Sequence, residues 1–209
     1  MQLFHVLAQW WHALSWLEII AVVTGLLCVY LAAINNIWNW PLAIISTVIS
    51  IYVFAIHQLY ADMLQYGYLT VINIYGWYYW STKKGGETKK PVIRISRSQM
   101  LWTIAAAGII SPLLGFLLIH FTAMLHYQPP AFPYLDSFCT VVSLAAQVLL
   151  ARKVLENWLI WVFVDVIYVV VYAIKGLEAY AFMFVVYIII AMIGYLDWRR
   201  DWLKQGNAQ

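Results

Sequence analysis

The chain has 209 residues, 65 % of them hydrophobic and only 10 % charged, with a mean hydropathy of +0.78. A soluble domain carries about 25 % charged residues, so this composition excludes an ordinary soluble protein and indicates a polytopic membrane protein. The formal net charge of +3 is small, so where the basic residues sit matters more than how many there are.

Residues 1–16 contain no Lys or Arg and no small-residue cleavage pattern, which argues against a secretory signal. With His5, Trp10, Trp11, His12 and Trp16 they read as an interfacial amphipathic segment. A helix crossing the hydrocarbon needs about 20 apolar residues at a rise of about 1.5 Å each. That ruler predicts spans near 17–35, 39–57, 61–81, 100–121, 134–152, 157–174 and 178–198. Asn35-Asn36, His57-Gln58 and Lys175-Gly176 are the breaks between closely spaced spans, and Pro41 falls in a first helical turn, where its missing N–H costs nothing. The longer connections are 82–99, which is Lys-rich, and 122–133, which carries Pro129, Pro130 and Pro133. Residues 199–209 read as a tail. Cys28 and Cys139 lie in apolar runs and offer neither a disulfide framework nor a metal spacing.

Seven spans put the termini on opposite sides. The connections after spans 1, 3 and 5 and the C-terminal tail share a face, and that face holds eleven of the twelve basic residues, Lys175 being the exception. The positive-inside rule makes that face cytoplasmic and puts the N-terminus outside. The basic segment 82–99 reads as a topology signal at the lipid surface, not as a nucleic-acid site.

Shifting the chain by 118 residues lays 17–80 on 135–198 without a gap, and seventeen of the 64 pairs are identical. They include Asn39 with Asn157, Trp40 with Trp158, Gly76 with Gly194 and Trp80 with Trp198. Shared apolar composition does not explain such matches at a single offset. The expected architecture is therefore all-α, with two three-helix repeats (17–81 and 134–198) that run parallel because both begin on the same side, joined by a linker helix at 100–121. Parallel repeats of this kind occur in transporters, with the substrate site at the repeat interface near the midplane.

The sixth span carries a carboxylate. Asn157, Trp161, Asp165, Tyr168 and Tyr172 recur at helical spacing and share one face. A charged side chain at the centre of a membrane helix costs about 2.5–3.5 kcal/mol on insertion scales, so Asp165 needs a partner, a wet cavity or a ligand. Its counterpart at the 118-residue offset is Thr47, and Ala43 and Ser50 stand opposite Trp161 and Tyr168, an asymmetry that suits an asymmetric ligand. Polar stripes also occur on span 5, with Asp136, Thr140, Ser143 and Gln147, and on span 3, with Gln65, Tyr68, Asn73, Gly76 and Trp77. Interhelical hydrogen bonding is the alternative explanation for these stripes. No HExxH, phosphate-cradling Gly loop or plausible Ser/His/Asp set is present, so the residues do not point to an enzyme or to a cofactor.

Leu59-Tyr60-Ala61-Asp62-Met63-Leu64-Gln65, followed by Tyr75-Gly76-Trp77-Tyr78-Tyr79-Trp80, resembles the PnuC family of bacterial nicotinamide riboside transporters. So do Asn39-Trp40-Pro41, Asn157-Trp158-Leu159-Ile160-Trp161 with Asp165, and the stretch from Gly194 to Trp198. The resemblance implies a three-plus-one-plus-three, SWEET-like fold in the bacterial inner membrane and a homotrimer. It also implies facilitated diffusion of nicotinamide riboside, coupled to a cytoplasmic riboside kinase that traps the product. For such a cargo, Trp161, Tyr168 and Trp77 offer aromatic faces to the cationic ring. Asn39, Asn157, Gln65, Asn73 and Gln147 offer amides to the ribose and carboxamide, and Asp165 a carboxylate. With no Lys or Arg inside a span, a phosphorylated cargo lacks a counter-charge. A SWEET-like sugar carrier, another nucleoside-type carrier and a non-transporting scaffold are the alternatives.

Overall fold

In hydrocarbon every backbone N–H and C=O must be satisfied within its own segment, so apolar spans close their hydrogen bonds as helices. The computed structural model describes residues 16–56, 58, 60–82, 90–124 and 131–206. It contains α1 (Trp16–Ala33), α2 (Asn39–Ile56), α3 (Tyr60–Ser81), α4 (Arg97–Met124), α5 (Pro133–Ala151), α6 (Asn157–Ile174) and α7 (Glu178–Gly206). Each covers one predicted span. Among the described residues, α2, α4, α5, α6 and α7 are long and apolar enough to cross a membrane, and α1 has a shorter apolar stretch, Val22–Ala33. The polar residues Gln65, Thr70 and Asn73 dilute the hydropathy of α3. Residues 1–15 of the interfacial segment, 83–89 of the 82–99 connection and 125–130 of the 122–133 connection lie outside the described residues.

The helix ends repeat at the 118-residue offset. Asn35 (φ 55°) and Lys153 (φ 58°) are counterparts, and so are Gln58 (φ 58°) and Gly176 (φ 69°). After α1, Asn36 N–H reaches Leu31 O at 2.8 Å and Asn35 N–H reaches Ala32 O at 3.0 Å. After α5, Val154 N–H reaches Leu149 O at 2.9 Å and Lys153 N–H reaches Leu150 O at 2.9 Å. This paired bonding is a Schellman C-cap, in which a left-handed residue lets the chain turn back on the last carbonyls. A left-handed lysine is uncommon, and here it directs the ammonium inward.

Two segments outside the predicted spans pack on the helices. Residues 199–206 continue α7: Trp202 packs against the core and Asp201 Oδ2 accepts from Asn35 Nδ2 at 3.1 Å. Residues 90–96 of the basic 82–99 connection form a strap on the turn between α5 and α6. Ile93 N–H donates to Lys153 O at 2.9 Å, Leu155 N–H donates to Ile93 O at 2.8 Å, and Val92 is buried. Glu156 pairs with Arg94 and accepts from Ile95 N–H at 2.8 Å. The strap completes backbone groups that the turn leaves open.

Helices α1, α2 and α3 pack in succession, as do α5, α6 and α7, and the two sets meet through α1 with α7 and α3 with α5. The 118-residue offset exchanges those two junctions. Helix α4 lies on α5. The junction is tightest at one end, in a row of buried indoles. Trp40 meets Trp80 edge to face at 5.3 Å, Trp80 meets Trp198 at 5.8 Å, and Trp158 meets Trp198 edge to face at 5.5 Å. Each central indole donates to the other set: Trp80 Nε1 to Ala151 O and Trp198 Nε1 to Ala32 O, both at 3.1 Å. Lys153 Nζ donates to Asn35 Oδ1 at 2.7 Å and to Lys90 O at 3.1 Å, and lies 4.2 Å from the Trp80 ring centroid.

The two outer indoles rest on glycines. A Cβ at Gly76 would overlap the Trp40 ring, and one at Gly194 would come within 2.6 Å of Trp158. Overpacking of this kind costs about 1–3 kcal/mol. Gly76→Ala and Gly194→Ala should therefore each lower the thermal midpoint of the detergent-solubilised protein. Gly67→Ala and Gly108→Ala, whose added Cβ atoms meet nothing within 4 Å, should not.

Candidate substrate site

Asp165 is 4 % exposed and makes no hydrogen bond or ion pair to any described residue. The other half shows why. Its counterpart Thr47 accepts a 2.9 Å hydrogen bond from Thr70 Oγ1. The counterpart of Thr70 is Ile188, which has nothing to donate. At the offset that pairs the two halves, Thr47 and Thr70 thus correspond to Asp165 and Ile188.

Tyrosines surround it. Tyr168 lies one turn further along α6, and Tyr187 reaches in from α7; both are within electrostatic range of the Asp165 carboxylate. Tyr187 is in the same range of Tyr66 on α3 and Cys28 on α1, so it stands where both halves meet. On the other junction, Gln147 Nε2 of α5 donates to Asn73 Oδ1 of α3 at 2.9 Å. The structure therefore brings Asp165 and Tyr168 together on one helix, and Gln147 and Asn73 together between two. An amide pair across the junction and an unpartnered carboxylate can offer hydrogen bonds to a polar ligand while tyrosine faces take its apolar side.

The other candidates divide. Asn39 and Asn157 are both buried, and each donates its Nδ2 at 2.6 Å to a carbonyl three residues back, Asn36 O and Val154 O respectively. Their identity in both halves thus has a local cause, the opening turn of α2 and of α6, about two turns from Asp165. Asn157 Oδ1 remains without a partner in the structure. Trp161 is partly buried against the indole core. Gln65 is half-buried, on the α3 stripe that carries Asn73. Trp77 is 44 % exposed beside Tyr78 and Ile74 on the outward face of α3, away from the others. A surface groove of about 340 Å³ between α4, α5 and α6 includes Leu159 and Phe163, which lie on the opposite side of α6 from Asp165.

Sequence spacing missed Tyr187 and Phe184, yet a signal was there. Tyr180, Phe184, Tyr187 and Ala191 form a helical stripe on α7, one that an otherwise apolar helix hides. Lys153, which counts among the basic residues of the face that the sequence assigns to the cytoplasm, has a buried side chain. No group of three His, Cys, Asp or Glu able to hold a metal occurs among the described residues.

The family model described as nicotinamide mononucleotide transporter matches residues 15–200. A nicotinamide riboside transporter PnuC from Escherichia coli K12 is 32 % identical over 213 residues, covering 93 % of this chain and 89 % of that protein. The chain belongs to the PnuC family. It is a membrane transporter and not an enzyme. The riboflavin/roseoflavin transporter RibM of Streptomyces davaonensis is 24 % identical over 192 residues, covering 90 % of this chain and 85 % of that one. A crystal structure of the vitamin B3 transporter PnuC superposes with a TM-score of 0.68 at 24 % identity, covering 97 % of this chain and 90 % of that chain. The fold is therefore that of a solved family member.

A carboxylate that holds helices together and one that serves a ligand differ in the sign of their effect on stability. Removing one partner of a buried polar contact costs about 1–3 kcal/mol, whereas removing an unpartnered group costs nothing. Asp165→Leu should leave the thermal midpoint unchanged or raise it, while lowering transport at least tenfold. Thr70→Val, which strips Thr47 of its donor, should lower the midpoint in the same assay.

Proposed function

We propose that this protein carries nicotinamide riboside across the bacterial cytoplasmic membrane by facilitated diffusion. The observation that carries this reading is Asp165, a buried carboxylate with tyrosines nearby and no hydrogen-bond or ion-pair partner among the described residues. Nicotinamide riboside has a flat cationic ring and a hydroxyl-rich sugar. Aromatic faces attract a cation by about 2 kcal/mol or more when desolvated, and a carboxylate neutralises its charge or accepts from its hydroxyls. The names of the similar proteins from E. coli and Neisseria mucosa support the same cargo.

In this reading the halves 17–81 and 134–198 are parallel three-helix bundles in a SWEET-like three-plus-one-plus-three arrangement, with α4 as the linker. They rock about a central site between α3, α5, α6 and α7. The indole row lies at the cytoplasmic end, the N-terminus is outside, and the basic residues are inside. The ties at the indole end then close the cytoplasmic exit in this conformation, and inward opening means parting Trp80 from Ala151, Trp198 from Ala32 and Lys153 from Asn35. Asp165, Tyr168, Gln147 and Asn73 form the centre of the site, Gln65 and Trp161 its flanks. The protein works as a homotrimer in the bilayer, and a cytoplasmic riboside kinase supplies direction by phosphorylating the product.

The riboside is favoured over the mononucleotide because the lysine buried nearest the core, Lys153, is already bonded to Asn35 and Lys90 at the bundle end. A phosphate at mid-membrane would lack a cation. A flavin is the second reading, supported by the similarity to RibM. Uptake into proteoliposomes separates these. Labelled nicotinamide riboside should equilibrate without accumulating, excess unlabelled riboside should abolish the signal, and the mononucleotide should not compete. Competition by riboflavin, with no riboside uptake, would favour the flavin.

A further inference from the structure

A stack of aromatic rings leads away from the Asp165 site. Tyr168 and Phe184 lie 4.8 Å apart with their planes at 29°, Phe184 and Tyr172 at 5.4 Å and 10°, and Tyr172 and Tyr180 at 5.3 Å and 19°. Four nearly parallel rings thus run from one turn beyond Asp165 to the first turn of α7, where Tyr180 is 38 % exposed. Parallel rings offer faces, which carry the negative part of the quadrupole.

The third ring, next to the exposed end, already meets a cation. Lys175 Nζ lies 5.9 Å from the Tyr172 centroid and 5.7 Å from that of Phe132, within the range of about 6 Å over which such pairs attract. Asp136, in the first turn of α5, is within electrostatic range of the same ammonium. Simple packing between adjacent helices does not require so long a stack. In the other half, Phe54 and Tyr66 keep one tilted contact at 5.1 Å and 48°, and the counterparts of Tyr168 and Tyr180 are Ser50 and Asp62. Among the described residues, a stack of this length occurs in the half that carries Asp165.

We propose that the ends of α6 and α7 around Tyr172, Tyr180 and Lys175 form an outer binding station for flat aromatic cations. In this station Lys175 is a resident cation that the incoming ring displaces. The cargo stacks there first and then descends the ladder to Asp165. This deepens the riboside reading and rests on it for the identity of the cargo, while the station itself is defined by ring geometry and charge.

Uptake kinetics with purified protein in liposomes test it, using nicotinamide riboside and its reduced, uncharged dihydro form. Removing the resident cation by Lys175→Met should lower the KM for the cationic riboside at least threefold and leave that for the neutral form within twofold. Tyr172→Leu should raise the KM for the cation at least threefold. An unchanged or higher KM in Lys175→Met, or equal shifts for both compounds, overturns the station. If the wild-type protein takes up no riboside, the cargo reading fails by itself. The station is then judged by binding of 1-methylnicotinamide, a flat cation without a sugar, followed by intrinsic fluorescence. Lys175→Met should tighten that binding at least threefold and Tyr172→Leu weaken it, whereas no binding, or binding indifferent to both substitutions, overturns the proposal.

Discussion

The contact on which this fold turns joins two residues that occupy the same place in their respective halves. Lys153 and Asn35 are 118 positions apart, each closes the helix before it in a left-handed conformation, and Lys153 Nζ donates to Asn35 Oδ1 at 2.7 Å. Counterparts can touch only where the two halves come together on a common axis, and the Trp80–Trp198 contact is a second such case. A buried ammonium must find acceptors, because leaving a charge unpaired in a low-dielectric interior costs several kcal/mol. Asn35, the Lys90 carbonyl and the Trp80 face meet that demand together. The strap 90–96 and the C-terminal end of α7 are drawn to the same spot, through Lys90 and through Asp201.

Away from this end the halves are free to differ, and the difference has chemical content. Thr47 and Thr70 meet inside the first half, and each hydroxyl also lies within hydrogen-bond distance of a carbonyl of its own helix, Ile44 O and Tyr66 O. The equivalent positions of the second half hold Asp165 and Ile188, so the threonine pair is replaced by a buried carboxylate and an apolar side chain. The duplicated frame is common to both halves, and the candidate site lies where they diverge. The same holds for the aromatic ladder: among the described residues, four stacked rings stand in one half where the other shows the tilted Phe54–Tyr66 pair.

Much of this could be read before any coordinates. Seven spans follow from apolar run length, and the observed helices fall within a few residues of them at most ends. The repeat was legible because Asn39/Asn157, Trp40/Trp158, Gly76/Gly194 and Trp80/Trp198 are retained for packing, and packing constraints act on identity at fixed offset. The site was less legible for the same reason. Residues kept in both halves, Asn39 and Asn157, serve the frame through their own opening turns. The candidate site residues Asp165 and Tyr187 are ones in which the halves disagree, standing against Thr47 and Leu69. Trp77 fits the helical spacing of its stripe and still faces outward, since periodicity groups residues without saying which way the group points.

Composition, run length and internal repetition by themselves determined that this is a seven-helix membrane protein made of two related halves, with one carboxylate in an apolar helix. Those properties are local or periodic, and local physics in hydrocarbon leaves the backbone one choice. Which polar residues find partners was decided only in the tertiary structure. Thr70 reaches Thr47, Gln147 reaches Asn73, Lys153 reaches Asn35, and Asp165 reaches nothing among the described residues. Satisfaction of a buried polar group depends on what the neighbouring helix presents at the same height, and no single stretch of chain contains that information.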